Sequence, residues 1–186
     1  MNIQYSYDGA TATIPWDREP EPETFRQWFA LSVAARHEKS VSRGLDHKGF
    51  ETFVPLYTRK HQYEGRVRKF ELPLFPGYVF CRAEPHTHLP ILTTPGVLRI
   101  VGAGRVPIPI ANDEVLSIQR AMEAGIAMSP YPFWRPGQTG RITAGPLAGI
   151  EGIVVTVKQS LRLVLSVTLL QRSVLLEIDS GDVALA

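Results

Sequence analysis

The apolar residues of this chain are spaced in three rhythms, and each predicts a different kind of element. QWFALSV at residues 27–33 is a continuous aromatic and aliphatic run with the composition of a buried strand. In the more polar stretch 36–48, Val41 and Leu45 lie four apart on one helical face, and Gly49 follows as a left-handed stop. ETFVPLYTRK then runs outward, HQYEG turns at Gly65, and RVRKFELPLFPGYVF returns, the pattern of a long hairpin. Residues 86–93 predict a short helix cut by Pro90, and GVLRIVGAGRVPIPI one more strand with an extended lead-in. A clear helix follows. Asn112 is its expected cap, Asp113 and Glu114 sit where negative charge suits the dipole, Val115, Ile118 and Met122 share a face, and Gly125 ends it.

From Pro136 the third rhythm begins. Short β-branched or leucine-rich runs at 141–143, 152–158, 161–168 and 173–178 are divided by Gly, Pro and polar breaks, which predicts a small antiparallel barrel. Residues 161–170 fit strand or helix by periodicity alone. IAMSPYPFWR, residues 126–135, has two prolines and no regular period and reads as a linker. The first residues carry Pro15, Pro20 and Pro22 and no pattern, and read as a flexible tail. The expected organisation is a tail at 1–24, an α/β domain at 25–125, a linker at 126–135 and a barrel domain at 136–186.

Composition narrows the class. With 44% hydrophobic residues in 186 the chain can bury a core, yet its apolar runs break well short of the roughly 20 residues a membrane helix needs. The start lacks both a basic segment and an apolar stretch, so it does not read as a secretory signal. Cys81 is the one cysteine, which excludes an internal disulfide and fits a reducing compartment, so the expected location is the cytoplasm. The net charge of +2 is unevenly spread: the tail holds Asp8, Asp17, Glu19, Glu21 and Glu23 against Arg18, and the basic surplus lies in the middle of the chain. Arg59, Lys60, Arg66, Arg68 and Lys69 surround the hairpin tip with only Glu64 among them. Such a cluster either solvates a loop or meets a polyanion.

Catalytic chemistry finds little support. Cys81, His86 and His88 offer three potential metal ligands without a fourth, VGAGRV lacks the Gly-Lys-Ser/Thr of a phosphate loop, and no nucleophile, base and orienter assemble from spacing. No enzyme, metal or cofactor is expected.

GPLAGIEGIVV carries more information. Gly145 and Gly149 can adopt backbone angles closed to other residues, so Pro146 to Ala148 can form a tight turn, with Gly152 in the strand beyond. Preceded by RPGQTGRIT, this stretch resembles the KOW motif of small barrels in ribosomal proteins and elongation factors. Gln138 and Gly140 depart from that motif, where an acid and an apolar residue are expected. WFAL, then RHEKSVSRGLDHKGFETFVP, a basic excursion, LFPGYVF, TTPGVLRIVG and the KOW stretch together resemble the NusG family of transcription elongation factors over residues 25–186. The closing VKQSLRLVLSVTLLQRSVLLEID looks most like its specialised, antiterminator-type members.

The resemblance implies an α+β fold, an NGN domain with an antiparallel sheet flanked by helices and then an SH3-like KOW barrel. It also implies a factor that binds RNA polymerase and suppresses pausing or termination, with the barrel recruiting a ribosomal protein or a termination factor. Pro76 and Gly77 are expected to tilt Phe75 out of the sheet, so that Phe75 and Tyr78 protrude toward the polymerase clamp helices. Phe80 and Trp28 complete the candidate set, with Trp28 packing beneath and Phe80 able to face either way. The basic hairpin would lie near DNA or an acidic polymerase surface. His86, Thr87, His88 and Thr94 fall where specialised members contact polymerase and non-template DNA, although Ala34 and Ala35 replace basic residues of some relatives. Covering of the polymerase site by the barrel is a third possibility within the family. The alternative is a KOW-type RNA-binding protein acting in ribosome assembly or translation.

Overall fold

A computed structural model describes residues 26–63, 66–131, 138–157, 160–177 and 183–185. The sequence-predicted tail and the hairpin tip at Glu64 and Gly65 lie outside the described residues.

The first half builds a four-stranded antiparallel sheet in the order β2-β5-β1-β6, from β1 (Gln27–Val33), β2 (Glu51–Phe53), β5 (Tyr78–Ala83) and β6 (Val97–Ile100). Strand β1 is central and buried on both faces, which explains its unbroken apolar run. One face carries Phe29, Leu31, Val33, Val79 and Cys81 against Val41 and Leu45 of α1 (Glu38–Asp46) and Ile91 of α2 (Leu89–Leu92). The opposite face carries Trp28, Ala30 and Phe80 and packs with Val115, Ile118 and Ala121 of α3 (Asn112–Glu123). Strands β3 (Leu56–Tyr63) and β4 (Arg66–Pro73) form a separate two-stranded hairpin, as do the short β7 (Gly102–Ala103) and β8 (Val106–Pro107).

The second half is a six-stranded antiparallel sheet in the order β14-β10-β11-β12-β13-β9. Its strands are β9 (Met128–Tyr131), β10 (Gln138–Ile142), β11 (Glu151–Val157), β12 (Ser160–Val167), β13 (Arg172–Glu177) and β14 (Val183–Leu185). The ambiguous leucine-rich stretch is strand over β12 and ends in a 3-10 turn at Thr168–Leu170. Among the described residues no helix is long and apolar enough to cross a membrane.

Two local readings need correction. Part of the expected linker is strand β9, in which Pro130 pairs with Val174 of β13. Because β9 is an edge strand, the donor that proline lacks is not needed by a second neighbour. The cap of α3 is Ala111 rather than Asn112, which is already the first helical residue and makes no side-chain capping bond. The acidic first turn, Asp113 and Glu114, stands as predicted.

Candidate functional site

Between β4 and β5 the chain reverses through Phe75-Pro76-Gly77-Tyr78. Gly77 has φ +81°, and the Tyr78 N–H donates to the Phe75 carbonyl at 3.1 Å. Proline before a positive-φ glycine is the residue order of a type II turn. The turn is pinned to the domain on both sides. The Gly77 N–H donates to Glu38 Oε1 at 2.8 Å, and the Gly77 carbonyl accepts from the Val33 N–H at 2.9 Å. Glu38, in the first turn of α1, is buried to 7% exposure by this contact.

That pinning decides the direction of the rings. The sequence led us to expect a protruding Phe75, but the ring is 1% exposed and meets Phe80 edge-on, with ring centres 5.3 Å apart. Phe80 in turn lies 6.0 Å from Phe53. Trp28 is buried beneath, and Tyr78 is half-buried against the same cluster. Phe75, the first residue of this turn, packs into the core instead of pointing away from it.

The cluster does not stop at the first sheet. Through α3 it continues into Ile142, Leu163 and Leu165 of the second sheet and into Leu147 and Ile150 of the turn between β10 and β11, and α3 packs against β12. Two polar contacts fasten this junction. Glu114 Oε1 accepts from the Thr168 N–H at 3.2 Å, and the Arg120 guanidinium donates to the carbonyls of Ala148 at 3.0 Å and Pro146 at 3.4 Å.

The carbonyls that Arg120 grips belong to the KOW turn. Gly145 and Gly149 both have positive φ, +77° and +88°, and the Gly149 N–H returns to the Ile142 carbonyl at 2.8 Å. Leu147 is thereby inserted into the core while Pro146 stays at the surface. Gly152 serves packing: a Cβ there would stand 2.7 Å from the Val164 carbonyl oxygen.

The hairpin is different in kind. Its base is tied to α1 by Lys39 and Glu71 at 2.7 Å, and the hydrogen bond and charge of Lys39 hold the Glu71 carboxyl below the usual range. Arg59, Lys60, Arg66, Arg68 and Lys69 are all exposed, and none forms an ion pair with another described residue.

Around α2, His86 is exposed and Thr87 half-buried, while His88 sets its ring edge-on to Phe29 at 5.9 Å. Thr94 is corrected from a candidate contact to an internal fastener. It is 3% exposed, donates to the Pro90 carbonyl at 3.0 Å and receives the Lys48 ammonium at 2.8 Å. Burial, with Asp46 and Glu51 nearby, pushes the Cys81 thiol up to about 12, which keeps it protonated and unreactive at neutral pH. Among the described residues no three His, Cys, Asp or Glu side chains gather as a metal site.

Residues 26–119 match the family model described as transcription termination factor nusG. The chain belongs to the NusG family. It is 34% identical to the transcription termination/antitermination protein NusG of Buchnera aphidicola, over 85% of this chain and 95% of that one. The protein of the same name from Pseudomonas aeruginosa is 28% identical over 85% and 97% of the two chains. A solved structure titled "Domain interaction in Thermotoga maritima NusG" matches with a TM-score of 0.53 at 17% identity, covering 85% of this chain and 96% of that one, and so supports the fold.

Within this NusG-family chain, sequence reasoning assembled the aromatic set but missed the groups that hold it. Glu38 and Gly77 are far apart in sequence, and only the register of β1 against β5 brings them together. Arg120 was visible as a cation in the last turn of α3, but nothing in its surroundings pointed to carbonyls of the KOW turn.

Proposed function

We propose that this protein docks on elongating RNA polymerase through the apolar face of its N-terminal region and suppresses pausing or termination. Trp28, Phe75, Tyr78 and Phe80 with α3 form the face that receives the clamp helices. The domain plan that goes with this reading is an NGN-like unit through residue 125 and a KOW barrel whose sheet includes β9 from Met128. The observation that carries the proposal is the continuity of one apolar cluster from the Pro76–Gly77 turn through α3 into the barrel. An apolar surface of that size is not left open on a monomer without a partner. The barrel is its resident cover, and when released it exchanges the α3 face for polymerase and becomes free to recruit a ribosomal protein or a termination factor. The names of the relatives agree with a role in termination and antitermination.

The mechanism is differential binding. A ligand that prefers the elongating conformation of polymerase shifts the population from paused states by no more than its difference in affinity, about 1.4 kcal/mol for each factor of ten. The basic hairpin supplies contacts to nucleic acid or to an acidic polymerase surface, and non-template DNA is within the class of partners it suits. Such a factor works in the cytoplasm.

The test is retention of polymerase from a nuclease-treated lysate by the tagged full chain. Tyr78→Ala, which trims a half-buried ring, should reduce retention, and Arg120→Ala, which loosens the cover, should increase it. Recovery of ribosomal particles in place of polymerase, indifferent to both substitutions, would overturn the reading and favour ribosome assembly.

A further inference from the structure

The register of the hairpin sorts its side chains onto two faces. Arg59 lies opposite Phe70, Lys60 opposite Lys69 and Gln62 opposite Val67. Because side chains alternate along a strand, Arg59, Arg66, Arg68 and Phe70 share one face, and Lys60, Val67, Lys69 and Glu71 share the other. The faces differ chemically. The first holds three exposed guanidiniums around a phenyl ring that is 48% exposed, with no acid among its described residues. The second holds two ammoniums, an aliphatic side chain and a carboxylate already engaged by Lys39.

We propose that the Arg59/Arg66/Arg68/Phe70 face is a binding site for single-stranded polynucleotide, in which the ring stacks on an unpaired base and the guanidiniums hold flanking phosphates. This deepens the reading of the hairpin given above, and it is tested without polymerase so that either can fail alone. Among the described residues the ring has no aromatic partner, and left in water among cations it offers a flat surface that suits any base. Guanidinium is planar, matches phosphate with two parallel donors and can stack as well. Successive same-face residues stand about 6.8 Å apart, so Arg66, Arg68 and Phe70 form one row along β4. A duplex keeps its base faces stacked and closed to the ring. An acidic protein surface would use charge alone, and the lysine face would serve it as well as the arginine face.

The experiment is fluorescence anisotropy of the full chain with labelled homopyrimidine DNA and RNA strands over a salt series. Phe70→Ala should weaken binding by about 5- to 150-fold, the loss of one base–aromatic stack, with the salt slope unchanged. Each of Arg59→Ala, Arg66→Ala and Arg68→Ala should lower that slope by about 0.7. Lys60→Ala with Lys69→Ala should have the smaller effect, and Phe70→Trp should restore or exceed the original affinity while Phe70→Leu does not. The stronger of the DNA and RNA arms identifies the source of the strand. Unchanged binding by Phe70→Ala, or competition by duplex or polyglutamate equal to that by the single strand, would overturn the assignment. Circular dichroism and thermal melting of each variant check that an affinity change is not a folding change.

Discussion

Phe70 and Phe75 are close neighbours in sequence and stand on opposite sides of a physical divide. Phe75 is sealed in a cluster that the second sheet completes, whereas Phe70 stands open on a hairpin that touches the rest of the molecule mainly at its base. The first sits in an apolar surface, which water penalises in proportion to its area and which the second sheet covers. The second sits among guanidiniums, whose hydration makes permanent exposure tolerable. A protein can leave a charged contact surface open at all times, but must either bury or cap a greasy one.

The largest effect separating the two regions should come from the rings themselves. Phe75→Ala empties a packed site and should cost about 3–5 kcal/mol, while Phe70→Ala should change stability by no more than about 0.5 kcal/mol. Equilibrium urea unfolding of both variants checks the contrast, and comparable losses would erase the distinction between covered and open surfaces. It follows that Phe75→Ala is a poor probe of polymerase binding, because the fold would suffer first.

Next in size is the turn. A Cβ on Gly77 would meet nothing nearer than the Val33 carbonyl oxygen at 3.9 Å, so Gly77→Ala adds backbone strain without a clash. The left-handed conformation should cost about 1–2 kcal/mol. Urea unfolding reads it, and a loss beyond about 3 kcal/mol would mean that the substitution also disrupts the packing of Phe75 and not the turn alone.

Arg120→Ala should have a smaller effect, about 1 kcal/mol for a charged donor at a partly hydrated junction. Its signature is regional: amide exchange should quicken at Ala148 to Ile150 and in α3 while β1 and β5 stay protected. Faster exchange throughout would show that the two sheets open as one unit.

The smallest effect concerns the hairpin base. Since Glu71 titrates below its ordinary range when folded, its contribution is present above that range and fades as pH falls through the folded value. Lys39→Ala should raise the Glu71 titration toward normal in carboxyl-detected NMR, with almost no change in melting, as expected for an exposed pair.

Much of this arrangement could be read from the residues. The buried strand at 27–33, the α1 face of Val41 and Leu45, the hairpin, the acidic start of α3 and the β-rich end all rest on local periodicity and turn chemistry, which a linear chain carries openly. What escaped reading depends on contacts between distant segments. Strand β9 hid behind its prolines because edge position is a property of the sheet and not of the segment. The inward turn of Phe75 depends on Glu38, and Thr94 was mistaken for a surface group because its partner Lys48 lies on another element. The two faces of the hairpin likewise emerged only with the register of β3 against β4.

Strand β9 begins at Met128, only a few residues after α3 ends at Glu123, and it is stitched along β13. The second sheet is thus leashed within nanometres of the α3 face on which it packs, at an effective concentration on the order of millimolar. Any molecule that claims the α3 face must outbid a neighbour that never diffuses away, and diluting the protein will not help it to do so.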